Sequence, residues 1–134
     1  MKLKIAYGNS RKARKWKNTE ITWEELQRKV SQAVITTETA EEYRSMSKAE
    51  QADIKDKGGF VGGHLKGGVR RKGNVYCRSF LALDMDYGTP DVWEEKISKV
   101  PYMLCVYTTH KHTPEKPRLR LLIPLKREIS EAEY

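Results

Sequence analysis

The sequence predicts an α+β domain in which short helices flank a mixed or antiparallel sheet. Three observations predict it: apolar runs of strand length, capping signals that begin short helices, and a glycine-rich stretch between them. Strands and helices that do not alternate regularly are typical of this class. The 134 residues suffice for one compact domain and are too few for two ordinary ones, so we expect a single domain over residues 1–134.

The first part of the chain predicts a strand, a helix and a polar segment. Leu3 and Ile5 share one face of a short strand over residues 2–7. Thr22–Glu25 has the spacing of a capping box and predicts a helix start. Residues 36–57 are polar and contain two more such starts. We expect short helices or a mobile surface excursion there, and no core.

The middle of the chain is rich in glycine. Six of the nine glycines lie within residues 58–68, which predicts a ribbon that another backbone approaches closely. Residues 69–74 then predict a basic hairpin tip, and an apolar strand follows over about residues 75–86.

The last third predicts a helix and two strands. Thr89–Asp91 is a helix start with proline at the first helical position, and Pro101 ends that helix. Its expected buried face consists of Val92, Trp93, Ile97 and Val100. Strands are predicted over residues 102–107 and 118–123, and the connection between them is polar. The expected order is strand, helices, strand, strand, helix, strand, strand, helix.

Composition and charge favour a polyanionic partner. The formal net charge is +8, and a basic surplus favours nucleic acid first, although plain solubility explains it equally well. No run reaches the roughly 18 apolar residues of a membrane span, and the start lacks the apolar segment of a signal peptide. We expect a cytoplasmic protein with no membrane partner. Cys77 and Cys105 lack metal-ligand spacing and are expected to be free thiols.

Two carboxylates close the apolar strand. Alternate residues of a strand point to the same side, so Asp84 and Asp86 emerge together while Leu83 and Met85 point the other way. Neighbouring carboxylates repel unless a cation or a proton joins them. Hard oxygen ligands favour Mg²⁺ or Mn²⁺, with substrate phosphates completing the shell. The alternative is an acidic strand end whose carboxylates cap a turn.

Two arginines share one face of the final strand. Arg118 and Arg120 alternate with Leu119 and Leu121, and their planar guanidinium groups suit phosphate oxygens. Two solvated edge-strand arginines are the alternative. Carboxylates that bind a divalent cation and arginines that bind phosphate together predict a nucleoside triphosphate site.

Basic residues for a nucleic-acid backbone fall into two stretches. The run over residues 11–17 suits phosphates, with Trp16 as a platform for a stacked base. A solvated loop with Trp16 anchored in the core fits equally well. The hairpin tip supplies the second stretch. The expected nucleic-acid contacts are Arg11, Lys12, Arg14, Lys15, Lys66, Arg70, Arg71 and Lys72.

The polar connection contains His110 and His112, which are candidates for phosphate contacts or metal ligands. A His-x-His pair also occurs in single-strand nicking enzymes, where a tyrosine attacks DNA. The residue between the histidines is apolar there and is Lys111 in this chain. Solvent-exposed loop histidines are the third alternative.

Four motifs in order resemble a known family. They are residues 53–63, the hairpin at 67–72, Leu81–Asp86, and residues 117–125. They resemble the primase-like N-terminal part of phage and mobile-element replication proteins of the virulence-associated protein E type. That family looks like a branch of the archaeo-eukaryotic primase, or primase-polymerase, superfamily. The resemblance implies a partial primase-polymerase core with an RRM-like sheet.

The resemblance also implies roles for the candidate residues. The acid-x-acid metal motif falls on Asp84 and Asp86. Arg120 stands where the superfamily's Ser-x-His motif has a phosphate-contacting histidine. The resemblance leaves two alternatives: Arg120 takes over that charge role, assisted by His110 or His112, or the role belongs to His110, because Thr108-Thr109-His110 loosely fits the same pattern before the strand. No residue before the end of the chain matches the superfamily's third acidic motif. Members usually continue into further catalytic core and a helicase domain.

The sequence therefore predicts the N-terminal portion of a primase-polymerase domain, with nucleoside triphosphates and a DNA template as partners. Ser130 has the pattern of a helix cap just before the chain stops at Tyr134, from which we expect a truncated C-terminus. A nucleic-acid-binding module without catalysis and a His-x-His nicking initiator remain the alternatives.

Overall fold

Two antiparallel sheets and four short helices form the structure, a computed structural model that describes all 134 residues. The strands are β1 (Lys2–Gly8), β2 (Lys17–Thr22), β3 (Gly59–Val61), β4 (Gly63–Leu65), β5 (Val75–Met85), β6 (Cys105–Thr108) and β7 (Leu119–Ile129). The helices are α1 (Trp23–Val30), α2 (Ala40–Ser45), α3 (Lys48–Ile54) and α4 (Val92–Glu95). One sheet has the order β2-β1-β3 and the other β4-β5-β7-β6. The predicted α+β class is confirmed.

The main core lies between the two sheets and under α1. Leu3 and Ile5 of β1 are fully buried and share one side of that strand, as the alternation predicts. The buried members of this core are Leu3, Ile5, Ile21, Trp23, Leu26, Phe80 and Leu122. The capping box of Thr22 and Glu25 begins α1 as predicted. Truncating a buried leucine such as Leu26 to alanine typically costs about 2–5 kcal/mol.

Strand β2 is an element that the sequence pattern did not predict. Its residues are polar except Ile21, which pairs with Leu3 of β1 and is buried. An edge strand with a single buried side chain shows no period of two in the sequence. Backbone pairing with β1 therefore decides its structure, overriding propensity.

The polar segment after α1 forms short helices, the first of the two predicted alternatives. Capping boxes at Thr39 and at Ser47 begin α2 and α3. The expectation that this segment contributes no core is wrong for Tyr43, which is only 5% exposed. Gln51 fixes the helix pair because its amide donates to the Tyr43 carbonyl oxygen at 2.7 Å.

Gly62 is the point where the chain leaves one sheet and enters the other. Strands β3 and β4 flank it but belong to different sheets. The Gly62 carbonyl oxygen accepts the backbone N–H of Ser79 at 2.8 Å and that of Phe80 at 3.3 Å. A Cβ at Gly62 would meet the Phe80 carbonyl oxygen, so the close approach predicted for the glycine ribbon requires glycine here.

The other side of the four-stranded sheet is covered by α4 and the turn that follows it. Val92 and Ile97 pack there against Leu119 and Leu121, as predicted. Trp93 does not join them and is 54% exposed, because α4 has only four residues and ends after about one turn. The predicted helix over this region is thus one short helix followed by a 3₁₀ turn.

The last strands also differ from their predicted limits. Tyr102 and Met103 are exposed, and β6 begins only at Cys105, because its pairing with β7 covers four residues. Strand β7 continues through Pro124 to Ile129. Proline is tolerated there because Leu122 is the last residue that faces β6, which leaves Pro124 without a neighbour on that side.

Two further expectations concern the C-terminal segment and the thiols. The predicted final helix is a 3₁₀ turn over Glu131–Glu133, begun by a capping box at Ser130. Cys77 and Cys105 are free thiols, as predicted. None of the helices has the length and apolar character needed to cross a membrane.

Candidate functional site

Cross-strand register brings Asp84 opposite Arg120. Strands β5 and β7 pair so that these two residues face each other, and Tyr107 of β6 lies opposite Arg120 on the other side. The Arg120 Nε donates to Asp84 Oδ1 at 2.6 Å, and its Nη2 donates to Oδ2 at 3.2 Å. This bidentate geometry fixes the planes of both groups. The three side chains form a row across the sheet.

A second, looser ion pair lies one step further along the same side. Arg118 Nη1 is 3.6 Å from Asp86 Oδ1. Asp86 follows the last residue of β5 and Arg118 precedes the first residue of β7, so this pair lies just beyond the paired strands. The structure thus brings together the four residues that the sequence singled out. It also pairs each carboxylate with an arginine, an arrangement that the sequence analysis did not anticipate.

Burial and hydrogen bonding set the electrostatics of the row. The hydrogen bonds to Asp84 raise the pKa of Arg120 above its usual value, so this guanidinium stays charged. Burial raises the pKa of the Tyr107 phenol, which stays neutral near pH 7. The row therefore presents one fixed cation between a carboxylate and a neutral hydroxyl.

The carboxylates fit a hard divalent cation by chemistry and by access. Both side chains are 53% exposed, and each offers two oxygens. No group of three or more His, Cys, Asp or Glu side chains converges anywhere in the chain. A cation held by Asp84 and Asp86 would therefore need further oxygen ligands from phosphate or water.

A cleft of about 280 Å³ opens beside the row. Its notable lining residues are the cations Arg11, Arg70 and Arg120, the single acid Asp84, and the aromatic residues Phe60 and Trp16. The backbone of Gly58 and Gly59 forms part of its wall. Arg120 is paired with Asp84 and Arg11 with Asp53, so Arg70 is the cation of this lining without an acidic partner.

A second cleft of about 440 Å³ continues from the first, because both are lined by Phe60, Arg70 and Ala82. It adds the cations Arg71, Lys72 and Arg78. The two clefts make one groove where the sheets diverge after Gly62. We call the half lined by Asp84 and Arg120, together with the adjacent pair of Asp86 and Arg118, the paired end, and the half with Arg70, Arg71, Lys72 and Arg78 the basic end.

Trp16 supports the groove from below. It is 7% exposed, which identifies the core anchor as the correct one of its two predicted roles. Gly8 lies so close that a Cβ there would overlap the indole ring. The Arg70 guanidinium lies over the same ring, 4.9 Å from its centroid. This cation–π contact holds Arg70 at the junction of the two ends.

The hairpin tip is held by backbone contacts and by one buried amide. Asn74 Nδ2 donates to the Lys66 carbonyl oxygen at 2.8 Å and to that of Val69 at 2.5 Å. The Lys66 ammonium itself faces Glu131 at 3.6 Å. Lys66 therefore has an acidic partner, whereas Arg71 and Lys72 are exposed at the tip without one.

The first basic run divides into paired and unpaired residues. Arg11 and Lys12 both bind Asp53, at 3.1 Å and 2.9 Å, so much of their charge is compensated. Arg14 and Lys15 are exposed and form no ion pair. Of the four, only Arg11 lines the groove.

The two histidines have separate partners and do not meet at a common point. His110 Nε2 lies 3.6 Å from Glu38, and its ring packs on Tyr43 with 4.4 Å between centroids. His112 Nδ1 accepts the backbone N–H of Arg118 at 3.2 Å. His110 thus secures the α2 segment, and His112 shapes the turn that delivers Arg118.

Sequence reasoning missed two residues that line the groove, Phe60 and Arg78, and one beside Arg120, Tyr107. Tyr107 was part of a predicted strand, but only the register of β6 with β7 puts it beside Arg120. Phe60 lies within the glycine-rich stretch, and its aromatic side chain was the only feature of the sequence that could have indicated a binding residue there. Arg78 stands alone in an apolar strand, and a lone charge in such a run could have identified it.

The fold and the groove define an α+β domain with a cationic groove between two antiparallel sheets. The family model described as the VapE N-terminal domain matches residues 1–134, and the chain belongs to that family. No curated protein and no solved structure matches the chain. Membership confirms the predicted relation to virulence-associated protein E and indicates a replication-associated protein of a phage or mobile element. The relation to the primase superfamily stays a prediction.

Proposed function

We propose that this domain binds a nucleoside triphosphate with Mg²⁺ or Mn²⁺ at the paired end, beside a DNA template, for primase-polymerase-type nucleotidyl transfer. One observation supports this above the others: Asp84 and Arg120 line a cleft that contains two further arginines, and the pair of Asp86 and Arg118 lies next to them. Metal and polyphosphate need these two kinds of group side by side.

The ion pairs define how a ligand would enter. Phosphate oxygens would take over Arg118 and Arg120, and the released carboxylates of Asp84 and Asp86 would hold the cation. When bound, Mg²⁺ or Mn²⁺ would polarise the α-phosphate and lower the pKa of an attacking 3′-hydroxyl. Tyr107 stays beside Arg120 and keeps that guanidinium directed toward the groove.

Magnitudes are compatible with such an exchange of partners. The looser pair of Arg118 and Asp86 contributes only about 0–1 kcal/mol. The bonds between Arg120 and Asp84 are charge-assisted, so phosphate contacts of the same kind, about 1.5–3 kcal/mol each, would replace them at similar strength. The pairs hold the four side chains in place without making them inaccessible.

A non-catalytic nucleic-acid-binding module is the second candidate. The groove lining contains a single carboxylate, Asp84, and Glu128 is bonded to Lys4 at 2.8 Å, outside the groove. The residues present thus offer no third acid for a full catalytic set. The nicking-enzyme alternative has no comparable support, because His110 and His112 have separate partners.

Calorimetric titration of Mn²⁺ and dATP separates these candidates. We expect metal-dependent dATP binding in the wild type and its loss in Asp84→Ala. Glu128→Ala is the matched control, because it also removes the acid of an ion pair but lies outside the groove. Binding of DNA without metal-dependent dATP binding in the wild type would refute the nucleotide site and favour the module.

A further inference from the structure

Four cations of the basic end have no acidic partner. Arg70, Arg71, Lys72 and Arg78 line the second cleft, and none of them forms an ion pair. Uncompensated cations around one cavity raise the local concentration of anions. This end therefore favours a ligand with several negative charges.

An aromatic side chain lies within this charge. Phe60 lines both clefts and packs against the main core, with 6.0 Å between its ring centroid and that of Phe80. The main core therefore fixes the ring from one side. Ala82, also common to both clefts, is small and leaves space beside it. A fixed ring beside open space is a platform on which a flat ring can stack.

Arg78 already has an aromatic ring on its guanidinium plane. The centroid of the Tyr134 ring lies 3.9 Å from Arg78 Cζ. Glu131, three residues earlier, lies 3.6 Å from Lys66. The Tyr134 ring on Arg78 resembles a stacked base, and the Glu131 carboxylate beside Lys66 resembles a phosphate. A nucleotide makes both kinds of contact with arginine and lysine.

We propose that the basic end holds an unpaired strand of nucleic acid. Phe60 and Arg78 stack on its bases, while Arg70, Arg71 and Lys72 contact its phosphates. Stacking on these side chains requires bases whose faces are free, which a duplex does not offer. The inference rests on the proposed function, since it identifies the template-binding part of the same groove.

The path of the strand follows from the shared lining residues. Because Phe60 and Arg70 belong to both clefts, a strand in the basic end continues directly toward the paired end. A base on Phe60 would lie next to the nucleotide site. The groove lining contains no Asn, Gln, Ser or Thr side chain for base edges, and binding is expected to tolerate different sequences.

Fluorescence anisotropy with a labelled oligothymidylate tests the proposal. Phe60→Leu keeps an apolar side chain for the core and removes the aromatic face, and Arg78→Lys keeps the charge and removes the plane. We expect each to weaken binding by about tenfold, as loss of one stacked base predicts. Arg28→Ala, an exposed arginine on α1 outside the groove, is the matched control and should bind like the wild type.

Salt dependence gives a second readout. Three phosphate contacts predict a slope of log K against log salt of about −2.1 for a single strand. Arg71→Ala should reduce that slope by about 0.7, whereas Phe60→Leu should leave it unchanged. The same oligonucleotide in a duplex should bind more weakly than the single strand. Equal binding of the duplex, or wild-type affinity in both stacking variants, would overturn the proposal.

The outcome is separable from that for the nucleotide site. If the wild type binds no dATP but Arg78→Lys weakens oligothymidylate binding, the strand site stands and the nucleotide proposal fails. If Asp84→Ala abolishes dATP binding while both stacking variants bind the oligonucleotide normally, the strand site fails alone. Arg78 is the discriminating position because it lines only the basic end.

Discussion

The two ends of the groove contain similar numbers of arginines but differ in whether those arginines are paired with carboxylates. At the paired end, Arg118 and Arg120 each face an aspartate. At the basic end, Arg70, Arg71 and Arg78 face no carboxylate. Fold geometry explains the contrast: the paired end lies where two long strands run in register, and the basic end surrounds a hairpin tip and a bulge.

The difference teaches which kind of ligand each end can select. The charges of an ion pair cancel at a distance, so the paired end attracts anions only weakly. It would distinguish ligands by geometry, because a ligand must supply a cation for the carboxylates and an anion for the arginines. Unpaired cations act over about a Debye length of 8–10 Å and favour any polyanion. Under the proposed function, the basic end would capture the polyanion and the paired end would select the nucleotide.

Removal of Trp16 should affect both ends together and have the largest effect. Its indole is buried with Ala6 and Leu65 and lies under the Arg70 guanidinium. Trp16→Ala should lower the free energy of unfolding by about 3–5 kcal/mol, as for other buried tryptophans. Urea denaturation followed by circular dichroism measures this change.

The matched control for that change is Trp93→Ala. Trp93 is 54% exposed on α4, away from the groove, so its loss should change the free energy of unfolding by about 0.5 kcal/mol. Equal destabilisation by the two variants would contradict the role of Trp16 as the common support of both ends.

Exchange of the partners in one ion pair should separate the two ends. The double variant Asp84→Arg with Arg120→Asp keeps opposite charges at facing positions, so stability should change by no more than about 1 kcal/mol. Metal-dependent dATP binding should fall at least about tenfold, because acid and base no longer lie where cation and phosphate need them. Calorimetry and urea denaturation give the two measurements.

Binding of oligothymidylate is the internal control for the exchanged pair. The basic end is unchanged in this variant, so affinity for the single strand should stay within about twofold of wild type. Retention of dATP binding would mean that the pair between Asp84 and Arg120 serves only to hold β5 against β7.

The sequence predicted which residues share a face of each long strand, but not which residues of the adjacent strands lie opposite them. A period of two was enough to group Asp84 with Asp86 and Arg118 with Arg120, although Asp86 lies just after β5 and Arg118 just before β7. Their mutual pairing depends on register, which is set by non-local contacts. Because register could not be predicted, Tyr107 was not identified either, since its role depends on its position opposite Arg120.

The errors of prediction have a common physical cause. Strand β2 gains its structure by pairing with β1, and Tyr43 gains its burial from packing against His110 and bonding to Gln51. Neither carries a local pattern that a window of residues would detect. Trp93 shows the opposite case, since an apolar residue at a helical position stays exposed when the helix ends after one turn.

The smallest expected effect concerns the turn that brings Tyr134 onto Arg78. Its anchor is Glu133, which binds Arg127 at 2.7 Å and accepts the Ser130 N–H at 2.9 Å. These bonds lower the Glu133 pKa to about 2. A lowered pKa means that the carboxylate holds the turn above about pH 4.5, and that this stabilisation is lost as the pH falls toward 2. Proton NMR of the Tyr134 ring should report its release in that window.

Release of the same ring at neutral pH should sharpen the contrast between the ends. If the Tyr134 ring occupies the place of a base on Arg78, Tyr134→Ala frees that guanidinium and should raise oligothymidylate affinity by about twofold. Tyr102→Ala, which removes a tyrosine that is 68% exposed and outside the groove, should have no effect. Binding of dATP should not change in either variant, because Arg78 lines only the basic end. A lower affinity in Tyr134→Ala would show instead that the ring adds to strand binding, because a competing group cannot weaken binding by its removal.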